Sequence, residues 1–399
     1  MLYLSADIIF PVSGGPRRES VLVLTDEGVV EGIFTLEELQ HKRHEIRFYK
    51  GMLCPGFVNT HCHLELSWAK GMIDEGKGLD SFVRQLESVR KTVPAEQVQQ
   101  SIVRAASEME GSGIVATADI ANGAQTIPYK SSSANYFHTF IEVFGSDPAY
   151  AATINERALG LKQEFESRLP VGRVSIVPHA TYSLSEELFR LVAAEDTGTI
   201  KSIHHQENED ENHFFWDGSG PIALRRKAFN PHLPPYPGTG KRPMQSIARF
   251  FNPDQKLLLV HNTVSQPEDI AFVQRYFAQP YWCLCPNANL YIENRLPQPD
   301  YFRQQQCIIT LGTDSLASNH QLSILSEMKT ICTHFPNIPL AEVLQWATLN
   351  GARFLGLEST LGSFDAGKSP GVVLIENADI QQPGLLAESI STLLIPAQP

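Results

Sequence analysis

Short apolar runs bounded by glycine, proline and charged positions recur along the chain, and eight of them read as strands. They span 57–63, 113–120, 138–145, 174–180, 200–207, 256–263, 281–287 and 307–314. Most are continuously apolar rather than alternating, the pattern of strands covered on both faces. The stretches between them carry the helical period. Val98, Ile102, Ala105, Ala106 and Met109 fall on one helix face, and 186–194, 268–277 and 322–332 repeat that spacing. Eight strands alternating with helices predict an α/β fold, a (β/α)8 TIM-type barrel rather than an open doubly wound sheet.

The flanks differ. Residues 1–55 hold only short runs separated by Gly, Pro and charge, and the tail returns to strand-like runs at 371–375 and 390–395. A few strands from one end cannot cover a hydrophobic face, so 1–55 and 358–399 are expected to pair as one small β-sandwich domain, with 56–357 as the barrel. Residues 208–243 carry Pro231, Pro234, Pro235, Pro237 and Pro243 behind an acidic start (Glu207, Glu209, Asp210, Glu211). They are expected to form a long, irregular, lid-like insertion after the fifth strand.

Composition narrows the partners. Among 399 residues, 32 Lys and Arg against 44 Asp and Glu give a net charge of −12, which argues against nucleic acid or an anionic membrane surface. Apolar runs such as 257–260 and 308–311 fall far short of the roughly 20 residues of a membrane span. Residues 1–12 lack the basic start and unbroken apolar stretch of a signal peptide, so a cytoplasmic location is expected. The six cysteines (Cys54, Cys62, Cys283, Cys285, Cys307, Cys332) sit in apolar contexts and read as reduced, buried hydrophobes rather than a disulfide framework.

The candidate chemistry lies at strand ends. The first strand closes on His61-Cys62-His63; residues two apart share a face, which points both imidazoles into the lumen at the barrel's C-terminal mouth. Alone, such a pair is as readily two half-buried histidines. The fifth strand, however, ends in His204-His205-Gln206-Glu207, the sixth in Val260-His261-Asn262 and the eighth in Gly312-Thr313-Asp314. Imidazoles and carboxylates gathered at one mouth, with a coordination position left for water, are what a metal-dependent hydrolase needs.

These motifs, with Pro55-Gly56 ahead of the first strand, resemble the amidohydrolase superfamily in its mononuclear deaminase branch. Cys285-Pro286-Asn287-Ala288-Asn289-Leu290 resembles that branch's Cys-Pro-x-Ser-Asn-x-x-Leu element, with Ala in place of Ser. Ala347-Thr348-Leu349-Asn350-Gly351-Ala352, then Leu361-Gly362-Ser363 and Gly367-Lys368, resembles its C-terminal signature, and Ser369-Pro370-Gly371 departs from it. The resemblance implies His61, His63, His204 and Asp314 as ligands of one divalent metal, with Glu207, His261 and Asp314 catalytic. Zinc is the default for three imidazoles and a carboxylate, and iron or manganese also suits them. A divalent metal acidifies bound water toward neutrality. Asp314 would accept the water's proton and pass it to leaving ammonia, His261 would steady the developing oxyanion, and Glu207 would protonate a ring nitrogen. The fourth strand ends in Val177-Pro178-His179-Ala180 without the Lys, Glu or Cys that bridges paired metals in relatives, which points to one metal.

The resemblance also makes His179 a substrate contact. Glu65 and Trp68 follow the ligand pair, where a carboxylate suits a ribose hydroxyl or an amine and an indole suits stacking on a base. Arg84, Asn289, Ser315 and His320 are further expected pocket residues. His63-Leu64-Glu65 also matches the His-x-Glu of a different zinc-deaminase family, but that family needs Pro-Cys-x-x-Cys and this chain has Cys283-Leu284-Cys285-Pro286. Around the ligands, the sequence is similar to bacterial 6-aminodeoxyfutalosine deaminases, which implies an aminopurine nucleoside substrate, a place in the futalosine route to menaquinone, and a homodimer. Rival readings are deaminases of S-adenosylhomocysteine, methylthioadenosine, adenosine or guanine, a triazine chlorohydrolase, and a catalytically silent metal-binding protein.

Overall fold

The computed structural model describes residues 1–195 and 200–399. Its strands are β1 (Leu2–Ile9), β2 (Ser20–Leu24), β3 (Val30–Thr35), β4 (Ile46–Pro55), β5 (Phe57–Cys62), β6 (Ile114–Ala121), β7 (Tyr136–Val143), β8 (Val174–Pro178), β9 (Lys201–His205), β10 (Lys256–His261), β11 (Gln279–Leu284), β12 (Ile308–Leu311), β13 (Val372–Glu376) and β14 (Ile390–Ile395). The eight expected barrel strands are β5 to β12. They pair in parallel as two half-sheets, β5-β6-β7-β8 and β12-β11-β10-β9.

One parallel bridge closes each seam between the halves, Cys62 to Asp314 at one and Ala180 to His204 at the other. Gly312 permits the first closure, since a Cβ there would lie 2.7 Å from Cys283 Sγ and 2.8 Å from His61 Cβ. Burial on both faces explains the unbroken apolar runs. Leu257 and Leu259 join the large outer core, while the alternate residues Leu258 and Val260 fill the lumen with Val58, Ala116 and Cys283. The helix Ala95–Gly111 turns Ile102, Ala105, Ala106 and Met109 inward. Ser185 caps the helix Glu186–Ala194 by accepting from Leu188 N at 3.2 Å.

Both chain ends share one six-stranded mixed sheet, in the order β14-β13-β4-β1-β2-β3. Its strands alternate between two cores: Val373 and Ile375 pack with the barrel, and Val372 and Leu374 pack with Leu4, Leu22 and Phe364. The chain passes from β4 to β5 through Gly56, where a Cβ would meet Val115 at 2.5 Å and the Pro370 carbonyl at 2.6 Å.

The 208–243 insertion is not irregular over most of its length. It folds into helices Glu209–Asp217 and Gly220–Phe229, and irregular chain is confined to the stretch before Pro243. Three acids in the first turn suit the positive end of the first helix, Gly218 ends it in the left-handed conformation, and Pro221 sits in the first turn of the second. None of the six cysteines is in a disulfide; Cys307 and Cys332 are only partly buried. Among the described residues no helix is long and apolar enough to cross a membrane.

Candidate active site

The C-terminal ends of β5, β9 and β10 and the turn after β12 converge on one cluster of imidazoles. The ligand atoms of His61, His63 and His204 lie within 4.8 Å of one another, and all three residues are buried. Asp314 Oδ1 is 3.6 Å from His61 Nε2 and 3.5 Å from His63 Nε2. Its other oxygen accepts from Ser318 Oγ at 2.6 Å, which fixes how the carboxylate faces the histidines. Gln206, His261, Asn262 and Asp314 all have positive φ, between 46° and 74°. Such backbone is held only where its surroundings compel it, and here it turns side chains at strand ends into the mouth.

The cluster fits a metal ion. His61 Nδ1 and Nε2 and His63 Nδ1 are buried without a hydrogen-bond partner, an arrangement that costs free energy unless something else satisfies them. His204 Nδ1 lies 2.7 Å from the His179 carbonyl and must donate to it, which leaves the lone pair on Nε2, 3.4 Å from His63 Nε2. Two imidazole nitrogens that close are best reconciled by a shared cation.

Burial sets the charge states. It pushes His63 down to about 4 and His261 to about 3, and with the neighbouring imidazoles it takes His204 well below its ordinary value, so all three are neutral near pH 7. At His61 burial works the same way, but the adjacent Asp314 outweighs it and the net shift is upward. Asp314, despite its own burial, is held well below the usual carboxylate range by His61, His63 and His261. Glu207 goes the other way. Burial, then the charge of Asp314, raises it well above the usual range, and its Oε1 stands 3.7 Å from His261 Nε2.

Of these groups, His63, His204, Glu207, His261 and Asp314 form the floor of a cavity of about 690 Å³ whose walls include His179, Ser315, Glu142, Asn122 and Tyr182. The helix Leu79–Arg90 contributes Leu79, Phe82, Val83 and Leu86, and the insertion contributes Ile222, Arg225 and Phe229. Of the expected substrate contacts, the structure brings only His179 and Ser315 to this cavity. Trp68 belongs to an apolar cluster with Leu66, Ala69, Ile73 and Ala317, because the turn Leu64–Ala69 folds wholly inward. Arg84 projects outward and pairs with Asp80 at 2.6 Å. Glu65 is buried behind the cavity wall; its Oε2 accepts from Asn122 N at 3.0 Å, and burial lifts its carboxyl to about 7. Asn289, also buried, donates to Thr263 Oγ1. His320 is exposed, 3.4 Å from Glu75.

The sequence reading passed over Glu142, Asn122 and the insertion's wall residues. Glu142 did leave a signal, as the one acid in the buried strand β7. It forms a second potential metal group with His179 and His204. His204 can serve that group only through Nδ1, whose proton is committed to the His179 carbonyl, so the first cluster is the better site.

Comparison with known proteins shows the family and the fold. The amidohydrolase family model matches residues 52–393. A 5-methylthioadenosine/S-adenosylhomocysteine deaminase of Saccharophagus degradans is 27% identical, over 96% of this chain and 84% of its own length. Helicobacter pylori aminofutalosine deaminase, solved in complex with methylthio-coformycin, is similar in structure with a TM-score of 0.82 at 20% identity, over 94% of this chain and 92% of that one. An adenosine deaminase from Xanthomonas campestris with bound zinc gives 0.72 at 20% identity, over 96% and 86%.

Proposed function

Because this chain belongs to the amidohydrolase family and is a hydrolase acting on carbon–nitrogen bonds, we propose that it removes the exocyclic amine of an adenine-type nucleoside. The observation that carries this reading is the pair of carboxyl groups pushed apart in pKa across one imidazole cluster, Glu207 upward and Asp314 downward. Such a pair supplies a proton donor and a proton acceptor at the same pH.

His61, His63, His204 and Asp314 would hold one divalent cation, zinc by donor set with iron or manganese as alternatives, whose chemistry is to acidify water near neutrality. The chain's own groups do the rest. Glu207, which burial and Asp314 make hold its proton to a higher pH than an ordinary carboxyl, gives that proton to a ring nitrogen beside the amine-bearing carbon and makes that carbon electrophilic. Asp314 accepts a proton from the attacking water and returns it to the departing amine, and the hydroxyl proton left on the added oxygen goes back to Glu207, so that nucleoside and water become the oxo-nucleoside and ammonia and the carboxyls are restored. His261, neutral, steadies the oxygen added to the ring through Nε2.

The substrate we favour is 6-aminodeoxyfutalosine, converted to futalosine on the way to menaquinone. The cavity supports it, since its walls combine Phe82, Leu86, Ile222 and Phe229 with Arg157, Arg225 and Arg226, a lining that suits a bulky aromatic 5′ substituent bearing a carboxylate. An ammonia-release screen over adenosine, 5′-methylthioadenosine, S-adenosylhomocysteine, guanosine and 6-aminodeoxyfutalosine, with a chlorotriazine as control, tests it. The last nucleoside should show the highest kcat/KM. Chloride release without ammonia release would refute the deaminase reading, and a preference for unsubstituted adenosine would refute the substrate.

A further inference from the structure

Glu142, the penultimate residue of β7, belongs to the cavity wall, yet the chemistry above gives it nothing to do. It sits at the Nδ1 edge of His204, 3.5 Å away, whereas His63 lies at the Nε2 edge. The residue is 7% exposed, and its Oε1 has no hydrogen-bond partner. Its Oε2 is anchored by the Asn122 amide at 3.1 Å, and Asn122 is held in turn by Glu65 through its backbone N–H at 3.0 Å. A buried carboxylate oxygen held in place but lacking a donor is an acceptor prepared for a ligand.

The donor it would take follows from what else the site holds. A second cation is disfavoured, because His204 Nδ1 has spent its proton on the His179 carbonyl and offers no lone pair beside Glu142. An aminopurine nucleoside carries strong donors in two places, the exocyclic amine and the sugar hydroxyls. The amine must face Glu207 and Asp314, where it is lost. We propose that Glu142 accepts a hydrogen bond from a ribose hydroxyl, so that the Glu65–Asn122–Glu142 chain makes the site selective for ribonucleosides; this rests on the nucleoside-deaminase reading. Glu65 is then a positioning residue acting through Asn122.

The test uses the metal-replete full chain and three probes, adenosine, 2′-deoxyadenosine and 3′-deoxyadenosine. It measures ammonia release, Kd by calorimetry and bound metal for the wild-type protein and for Glu142→Gln. In that variant the amide oxygen keeps the Asn122 donor and turns an NH2 toward the position of the hydroxyl proton. Wild-type protein should disfavour one deoxynucleoside by about 10- to 100-fold in kcat/KM, the range for a hydrogen bond to a charged group. E142Q should lose that preference through a raised KM for adenosine, with metal content unchanged, and Glu142→Asp should retain part of it. Equal wild-type rates on all three nucleosides would overturn the assignment without any variant. So would an E142Q defect of the same size on all three, or one accompanied by loss of metal. If no nucleoside releases ammonia but Kd still separates ribose from deoxyribose, the deaminase reading fails and Glu142 keeps its role. Ammonia release without discrimination removes the role of Glu142 alone.

Discussion

The floor of the cleft and its outer wall are built by different means. The floor consists of single residues at or just past the ends of separate strands, His63, His204, His261 and Asp314, all buried and fixed by backbone that a parallel barrel cannot easily deform. The wall comes from contiguous stretches, the helix Leu79–Arg90 and the insertion, and it presents mostly apolar side chains. Phe229 shows the contrast, lining the cavity while 63% exposed. A floor tied to the barrel can hold one chemistry, and a wall carried on an insertion can change shape without touching it.

The following measurements press on that contrast. Asp314→Asn should lower bound metal and cut turnover of every nucleoside by about a thousandfold or more, because it removes both a ligand and a proton acceptor; retained metal and activity would break the assignment of the floor. Glu207→Gln should keep metal but lose about 10²- to 10⁴-fold in kcat. In the wild type, kcat/KM should fall on the alkaline side as Glu207 releases its proton, at a pH above the usual carboxylate range given its upward shift; a profile flat through that range would remove Glu207 as the acid. Phe229→Ala should raise KM about tenfold for nucleosides with a bulky 5′ group and leave adenosine nearly unchanged. Equal losses on both would mean that floor and wall are not separable.

The next measurement concerns how the wall is attached. Burial lifts Glu211, in the insertion's first helix, to about 7 while its Oε1 accepts from Thr181 Oγ1 at 2.5 Å. The folded protein therefore keeps a proton that the unfolded chain releases near pH 4.5. This contribution is complete below that pH and declines as pH rises through 7. Melting temperature should drop by about a few degrees from pH 5 to pH 8, and less in Glu211→Gln. Smallest of all, Arg84→Ala should leave kcat, KM and stability within about 0.5 kcal/mol of wild type, as expected for an exposed ion pair; a clear KM effect would restore it as a substrate contact.

The same contrast explains what could be read in the sequence. All eight barrel strands were legible because strands buried on both faces leave unbroken apolar runs, and the floor was legible because His63, His204, His261 and Asp314 fall at equivalent ends of those runs. The insertion was misjudged. Its prolines suggested irregular chain, yet Pro221 opens a helix, and Gly218 marks the end of one helix rather than the absence of both. Trp68 and Glu65 were placed in the pocket because they follow the ligands closely in sequence. The inward turn Leu64–Ala69 buries them behind its wall instead, a reversal that no local pattern announces. Glu142 was overlooked because a lone acid at a strand end has no neighbour in sequence to give it meaning; only folding brings Asn122 and His204 to it.

The two half-sheets of the barrel meet at seams that each carry one isolated parallel bridge, with Asp314 taking part at one and His204 at the other. A cation held, as proposed, by His61 and His63 from one half and by His204 and Asp314 from the other would be a clasp as well as a reagent. Releasing that ion and loosening the barrel would then be one thermodynamic event, and amides beside the seams should exchange with solvent faster when the ion is stripped, while those in the middle of each half-sheet keep their protection.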